Sequence, residues 1–133
     1  MLLELNPRSS TPIWEQIVNQ VKELLLKNIL LPGEKLPSVR ELSSLLVINP
    51  NTVSKAYQEL ERQGVIETLR GRGTFIPASL SLKPDEAKLA AVRQTLKQLI
   101  IDASYLGMTK EEFLKLTHDY LEEFGGLTDA KRT

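Results

Sequence analysis

The chain has 133 residues, 41% apolar and 26% charged, the make-up of one ordinary soluble globular domain or of a small domain with an appendage. It contains no cysteine, which excludes a disulfide framework, a thiolate metal site and a cysteine nucleophile. Its formal net charge is +0, no apolar run approaches a transmembrane helix and no charged-then-apolar leader opens it, so a soluble cytoplasmic protein is expected.

Residues 1–10 form a short lead in which Leu2, Leu3 and Leu5 either pair as an edge strand or pack loosely. Thr11 and Pro12 read as an N-cap and a first helical residue. Ile13, Ile17, Val21, Leu24 and Leu25 then mark one face of a helix running to about Leu30. Trp14, near its start, reads as a staple onto the next element rather than as a partner contact. Leu31-Pro-Gly-Glu-Lys-Leu-Pro37 is a connecting loop built on turn residues. Ser38 with Glu41 three residues later is a capping box. It opens a short helix, expected to be buried through Val39, Leu42, Leu45 and Leu46, that stops near Val47 and Ile48.

The helix opening at Asn49 organises the rest. Asn49 is a preferred N-cap, and Pro50 at the first helical position forfeits only an N–H that had no partner. Val53, Ala56, Tyr57 and Leu60 recur at helical spacing as one buried face, and Gly64 stands where a left-handed residue ends the helix. The opposite stripe carries Asn51, Ser54, Lys55, Gln58 and Arg62. Small polar and cationic residues on the outward N-terminal half of a short helix suit entry into a DNA major groove. Downstream, Val65–Leu69 and Thr74–Ile76 alternate as short strands joined by the turn Arg70-Gly-Arg-Gly73, a β-hairpin. Helix, turn, helix and hairpin make a winged helix, whose wing tip presents Arg70 and Arg72 to a phosphate backbone or minor groove.

Leu80 to Asp85 is the best boundary. Beyond it, Leu89, Val92, Leu96, Leu99, Ala103 and Leu106 follow spacings of three and four as an a/d seam, ended by Gly107. Thr109 and Glu112 form a second capping box, opening a helix with Phe113, Leu116, Tyr120, Leu121 and Phe124 that Gly125-Gly126 closes. A two-helix hairpin buries its own apolar face poorly, so its partner is the winged domain, a second copy of itself or both; self-association through Leu89, Val92, Leu96, Leu99, Ala103, Leu106, Phe113, Leu116 and Tyr120 is the favoured expectation. The tail from Leu127 reads as disordered. The fold class is therefore mainly α with a small β-hairpin. An N-terminal winged helix-turn-helix over residues 1–79 precedes a C-terminal αα-hairpin over residues 80–133.

Charge does not distinguish the two halves. Residues 1–76 hold nine Lys/Arg against eight Asp/Glu, and residues 77–133 hold eight against nine. Attraction to DNA must be local, from Arg40, Lys55, Arg62, Arg70 and Arg72 converging on one face. His118 is the only histidine, and without a second imidazole or thiol it makes no metal or catalytic site. Asp119, Glu122 and Glu123 read as solvated helix acids. No phosphate-binding glycine loop and no Ser/His/Asp set is present, so no cofactor, no metal and no enzymatic activity are expected.

From Pro37-Ser-Val-Arg40-Glu-Leu, through Asn51-Thr-Val-Ser-Lys-Ala-Tyr57 to Gly64, to Arg70-Gly-Arg-Gly73-Thr-Phe, the chain resembles the GntR family of bacterial transcription regulators. The resemblance spans roughly Pro12 to Ile76. The short helical C-terminal part looks like the YtrA-like subfamily. The resemblance implies a homodimer joined through the C-terminal helices, repressing from a double-stranded DNA operator an operon that often encodes a transporter. It also implies DNA contacts at Ser38 and Arg40, along Asn49, Asn51, Thr52, Ser54 and Lys55 with Gln58 beyond them, and at the wing residues Arg70, Gly71, Arg72 and Gly73. Pro50 and Ser54 stand where many relatives place base-reading arginines. A small-molecule effector would have to sit in the dimer cleft or between winged domain and hairpin. The competing reading is a winged-helix protein-interaction module without specific DNA binding, which the neutral charge favours and the outward polar stripe opposes.

Overall fold

The computed structural model describes residues 1–79 and 84–125. The chain divides into two compact units, Met1–Ser81 and Leu82–Thr133. The expected boundary at Leu80–Asp85 lies largely, and the tail from Leu127 wholly, outside the described residues.

In the first unit, helix α1 (Ile13–Leu26) starts one residue later than its sequence suggests. Pro12, not Thr11, occupies the cap position. Its extended backbone leaves its carbonyl to accept from the Glu15 and Gln16 N–H groups, with no side chain capping the helix. The helix also ends at Leu26 rather than near Leu30, because Asn28 turns left-handed at φ 59°. The Ile29 and Leu30 N–H groups fold back to the Leu24 carbonyl, and this return is what buries Leu30. The leader forms no strand. Gln20 and Gln16 of α1 instead reach its backbone, accepting from the Glu4 N–H at 2.7 Å and the Asn6 N–H at 2.8 Å. Gln16 also donates to the Asn6 carbonyl at 2.9 Å, so Leu3 and Leu5 lie against the core while Leu2 faces solvent.

The expected loop at Leu31–Pro37 contains a two-residue strand, β1 (Lys35–Leu36). Helix α2 (Val39–Leu46) opens on the anticipated capping box, with the Glu41 N–H donating to Ser38 Oγ at 3.0 Å. Its phase differs from the expectation in one residue. Leu45 is 69% exposed, and the buried position belongs to Ser43, whose hydroxyl is satisfied by the Arg40 carbonyl at 3.0 Å. Val39, Leu42, Ser43 and Leu46 fall within an arc of about 100° around the helix and face the core, whereas Leu45 lies roughly 110° from the middle of that arc.

Val47 makes the turn by adopting φ 54°, and the Ile48 N–H returns to the Ser43 carbonyl. Helix α3 (Pro50–Arg62) follows, with the Asn51 N–H donating to Asn49 Oδ1 at 2.8 Å and Gly64 left-handed at φ 77° beyond its end. Val53, Ala56, Tyr57 and Leu60 are all buried, as the spacing predicts. They meet Ile17, Val18 and Val21 of α1 and Leu42 of α2 in one core, completed by Leu30, Leu36, Ile66 and Ile76. The Tyr57 hydroxyl crosses this core to donate to the Pro37 carbonyl at 2.7 Å.

The wing is shorter than its sequence suggests: β2 (Glu67–Leu69) and β3 (Gly73–Phe75) are three residues each. The apolar anchors, Ile66 and Ile76, sit just outside the strands at the base. Arg72 N–H donates to the Leu69 carbonyl at 2.9 Å, closing the turn over Gly71 at φ 79°. The sheet is antiparallel in the order β1-β3-β2, with Lys35 opposite Phe75 and Thr68 opposite Thr74.

In the second unit, Asp85 caps helix α4 (Glu86–Tyr105), and the Thr109–Glu112 capping box opens helix α5 (Lys110–Phe124) after a turn at Gly107. Gly125, left-handed at φ 61°, closes α5. Neither helix buries a single residue.

A β-branched residue in the left-handed region is strained, and Val47 is 88% exposed, so its side chain contributes little packing. Val47→Asn should raise the unfolding free energy by about 1 kcal/mol, measured by urea denaturation. Burial first, and the nearby Glu41 carboxylate second, hold the Tyr57 hydroxyl well above the ordinary phenol range. The folded state thus keeps its proton where the unfolded chain loses it, so stability falls as pH rises above the ordinary tyrosine value of about 10. Tyr57→Phe should cost about 1 kcal/mol at neutral pH and flatten that alkaline decline, as read by thermal unfolding from pH 8 to 11.

Candidate nucleic-acid interface

The polar surface of α3 is set by its apolar one. With the inner face fixed in the core, Asn51, Lys55 and Gln58 lie on the far side, all exposed, while Thr52 and Ser54 are half-buried along its flanks. Asn49 is exposed, but its side-chain oxygen is committed to the Asn51 N–H, so its part at the surface is to hold the first turn. Ser38 is likewise exposed and likewise committed, to the N-terminus of α2. Arg40, the second residue of α2, is exposed. The Tyr57–Pro37 hydrogen bond ties α3 to the backbone just ahead of Ser38, so the start of α2 and the middle of α3 are one rigid assembly.

At the wing, Arg70, Gly71 and Arg72 are exposed and Gly73 is half-buried. Gly73 has φ 117°, and a Cβ placed there would lie 2.9 Å from Lys35 Cε. The backbone conformation therefore calls for glycine, while the end of the flexible lysine side chain can move aside. Lys35 brings an additional cation beside the wing that the sequence, read as a loop there, does not reveal.

Two further contacts were not legible. Arg62 is engaged by Glu59, with Nε donating to Oε2 at 2.9 Å, which makes it a helix-end ion pair rather than a groove residue. The Lys55 ammonium lies 4.6 Å from the centroid of the Trp14 ring. Trp14 thus packs partly on the core as a staple and also meets Lys55 of the outward stripe.

On the second unit, Leu89, Val92, Leu96, Leu99, Leu106, Leu116 and Tyr120 are exposed, and Ala103 and Phe113 are half-buried. Tyr120 stacks on Phe124 with centroids 5.9 Å apart. His118 Nε2 lies 4.0 Å from Glu122 Oε1 on an exposed surface. Among the described residues no group of three or more His, Asp or Glu could hold a metal, and no helix is long and apolar enough to cross a membrane.

Comparison with known proteins places this geometry in a family. Residues 13–76 match the model for bacterial regulatory proteins of the gntR family. The chain is 54% identical over 122 residues to the HTH-type transcriptional repressor YtrA of Bacillus subtilis, covering 92% of this chain and 91% of that one. It is 44% identical over 108 residues to the regulator YhcF of the same organism, covering 81% and 88%. Among solved structures, a transcriptional antiterminator from Listeria monocytogenes EGD-e superposes with a TM-score of 0.84 at 45% identity, over 99% of this chain and 98% of that one. YtrA from Sulfolobus acidocaldarius, a GntR-family transcription factor, matches with a TM-score of 0.54 at 36% identity over 91% and 97%. The match covers both the helical C-terminal part and the winged part. The chain belongs to the GntR family of DNA-binding transcription regulators, with its winged helix-turn-helix between Ile13 and Ile76.

Proposed function

We propose that the protein is a cytoplasmic repressor acting as a homodimer on an inverted-repeat operator, with residues 1–79 binding DNA and residues 80–133 joining two copies. The observation that carries this is the exposed stripe of α3, Asn51, Lys55 and Gln58, on a helix whose opposite face is buried in the core and which the arginine-tipped wing follows in the chain. Asn and Gln side chains match adenine edges, and lysine matches guanine, so the stripe reads a short mixed A/G half-site. Ser38, Arg40, Thr52 and Ser54 flank it, and Arg70, Gly71, Arg72 and Gly73 meet the adjoining backbone or minor groove. The repressor named among its relatives supports the sign of regulation, and control of a transporter operon is the reading its subfamily resemblance implies.

Leu96 and Leu99 are 49% and 52% exposed on a twenty-residue helix without a buried position, an arrangement that a second copy would cover. Replacing both with Asp puts charge into that apolar seam, and sedimentation should show a monomer. An unchanged dimer would move the interface elsewhere.

Gel-shift on the DNA just upstream of the protein's own gene, with salt titration, tests the DNA reading. Asn51→Ala and Lys55→Ala should each cost about 1–3 kcal/mol on the specific site with less effect on random DNA. Arg72→Ala should weaken both and lower the salt slope by about one. Equal losses on both DNAs for Asn51→Ala would reduce α3 to a backbone clamp. Two identical reading helices meet one face of the duplex only about one helical turn apart, roughly 10 bp, or at multiples of it. Five base pairs inserted at the operator centre should therefore abolish tight binding, and intact affinity would rule out the symmetric mechanism.

A further inference from the structure

We propose that Trp14, on α1, is a positioning residue that fixes the side chain of Lys55 on the DNA-reading stripe, so that the first helix contributes to what the third one reads. This rests on Lys55 facing DNA as proposed above. Lysine carries its charge on a flexible four-carbon stem and lacks the planar fork that pre-orders arginine, so a lysine used for recognition loses much rotamer freedom on binding. Lys55 is exposed, yet its ammonium lies 4.6 Å from the Trp14 ring centroid, within the range of a cation–ring attraction. The acid one turn further along α3, Glu59, is engaged by Arg62 and by Gln63 Nε2 at 2.7 Å. The indole is itself held: Trp14 is half-buried against the core on a helix whose Ile17, Val18 and Val21 are buried. A fixed ring over a mobile cation restricts it before DNA arrives, and the ring face leaves the ammonium's other side open to a guanine edge.

The test uses the full-length protein and the duplex that the wild type enriches most from a random-sequence pool, with affinity read by fluorescence anisotropy. Trp14→Leu keeps apolar bulk and removes the ring, Trp14→Phe keeps a ring, and thermal unfolding of each variant reports on folding. Trp14→Leu should lose about two- to fivefold in affinity, the equivalent of one exposed cation–ring contact, while Trp14→Phe retains most of it. In a Lys55→Ala background Trp14→Leu should cause no further loss. The ring current of Trp14, the chain's only tryptophan, should shift the Lys55 ε-methylene protons upfield in the NMR spectrum, and Trp14→Leu should remove the shift. The proposal is overturned if Trp14→Leu binds as tightly as the wild type or more tightly. It is also overturned if the loss persists without Lys55, if no upfield shift is present, or if Lys55→Ala leaves affinity unchanged. A loss for Lys55→Ala with none for Trp14→Leu would remove only the positioning role. A wild type that enriches no duplex would remove the DNA reading and the proposal with it.

Discussion

The burial of one face of α3 is the constraint on which the rest of the winged unit depends. Val53, Ala56 and Leu60 are fully excluded from solvent and Tyr57 nearly so, against α1 on one side and α2 on the other. Burying Val53 and Leu60 stabilises by roughly 1.5–3 kcal/mol each, more than a typical polar contact at the surface. A helix whose inner face is fixed in this way has no rotational freedom. Each residue turns it by about a quarter of a circle, so a one-residue slip would bring Ser54 inward and carry Asn51 and Lys55 out of the exposed stripe. The outward polar stripe is thus aimed by apolar packing, and its residues need contribute nothing to the fold.

The ends of the helices are fixed by a separate set of local bonds. Ser38 and Glu41 satisfy each other's backbone at the start of α2, Asn49 does so at the start of α3, and left-handed residues at Val47 and Gly64 end the two helices. These define where each helix begins and stops, while Tyr57 fixes how α2 and α3 sit together by bonding the Pro37 carbonyl. The strain accepted at Val47 falls in the turn between the two helices, the point where chain direction matters most to a helix-turn-helix.

The two units satisfy their apolar residues differently. Among the described residues the first closes a core of twelve buried hydrophobic side chains within itself, whereas α4 and α5 carry leucines, isoleucines and aromatics with none buried. A pair of helices has too little surface to enclose its own apolar side chains, so the stability of such a part comes from what covers it. A DNA-binding protein that is neutral overall and has no basic half draws its attraction to DNA from locally placed cations rather than from general charge.

The sequence by itself determined both faces of α3, the two capping boxes, the glycine turn of the wing and the family. Each of these is carried by residues within a few positions of one another, where helical period and cap chemistry act directly. Only the tertiary structure decided the pairing of Lys35-Leu36 with β3, the exposure of Leu45, the early end of α1, the hold of Gln16 and Gln20 on the leader, and the seat of Lys55 on Trp14. These join residues far apart in the chain or choose between two neighbours that suit the same helix equally well. Periodicity cannot rank such alternatives, because what separates them is the space left after the other elements have packed.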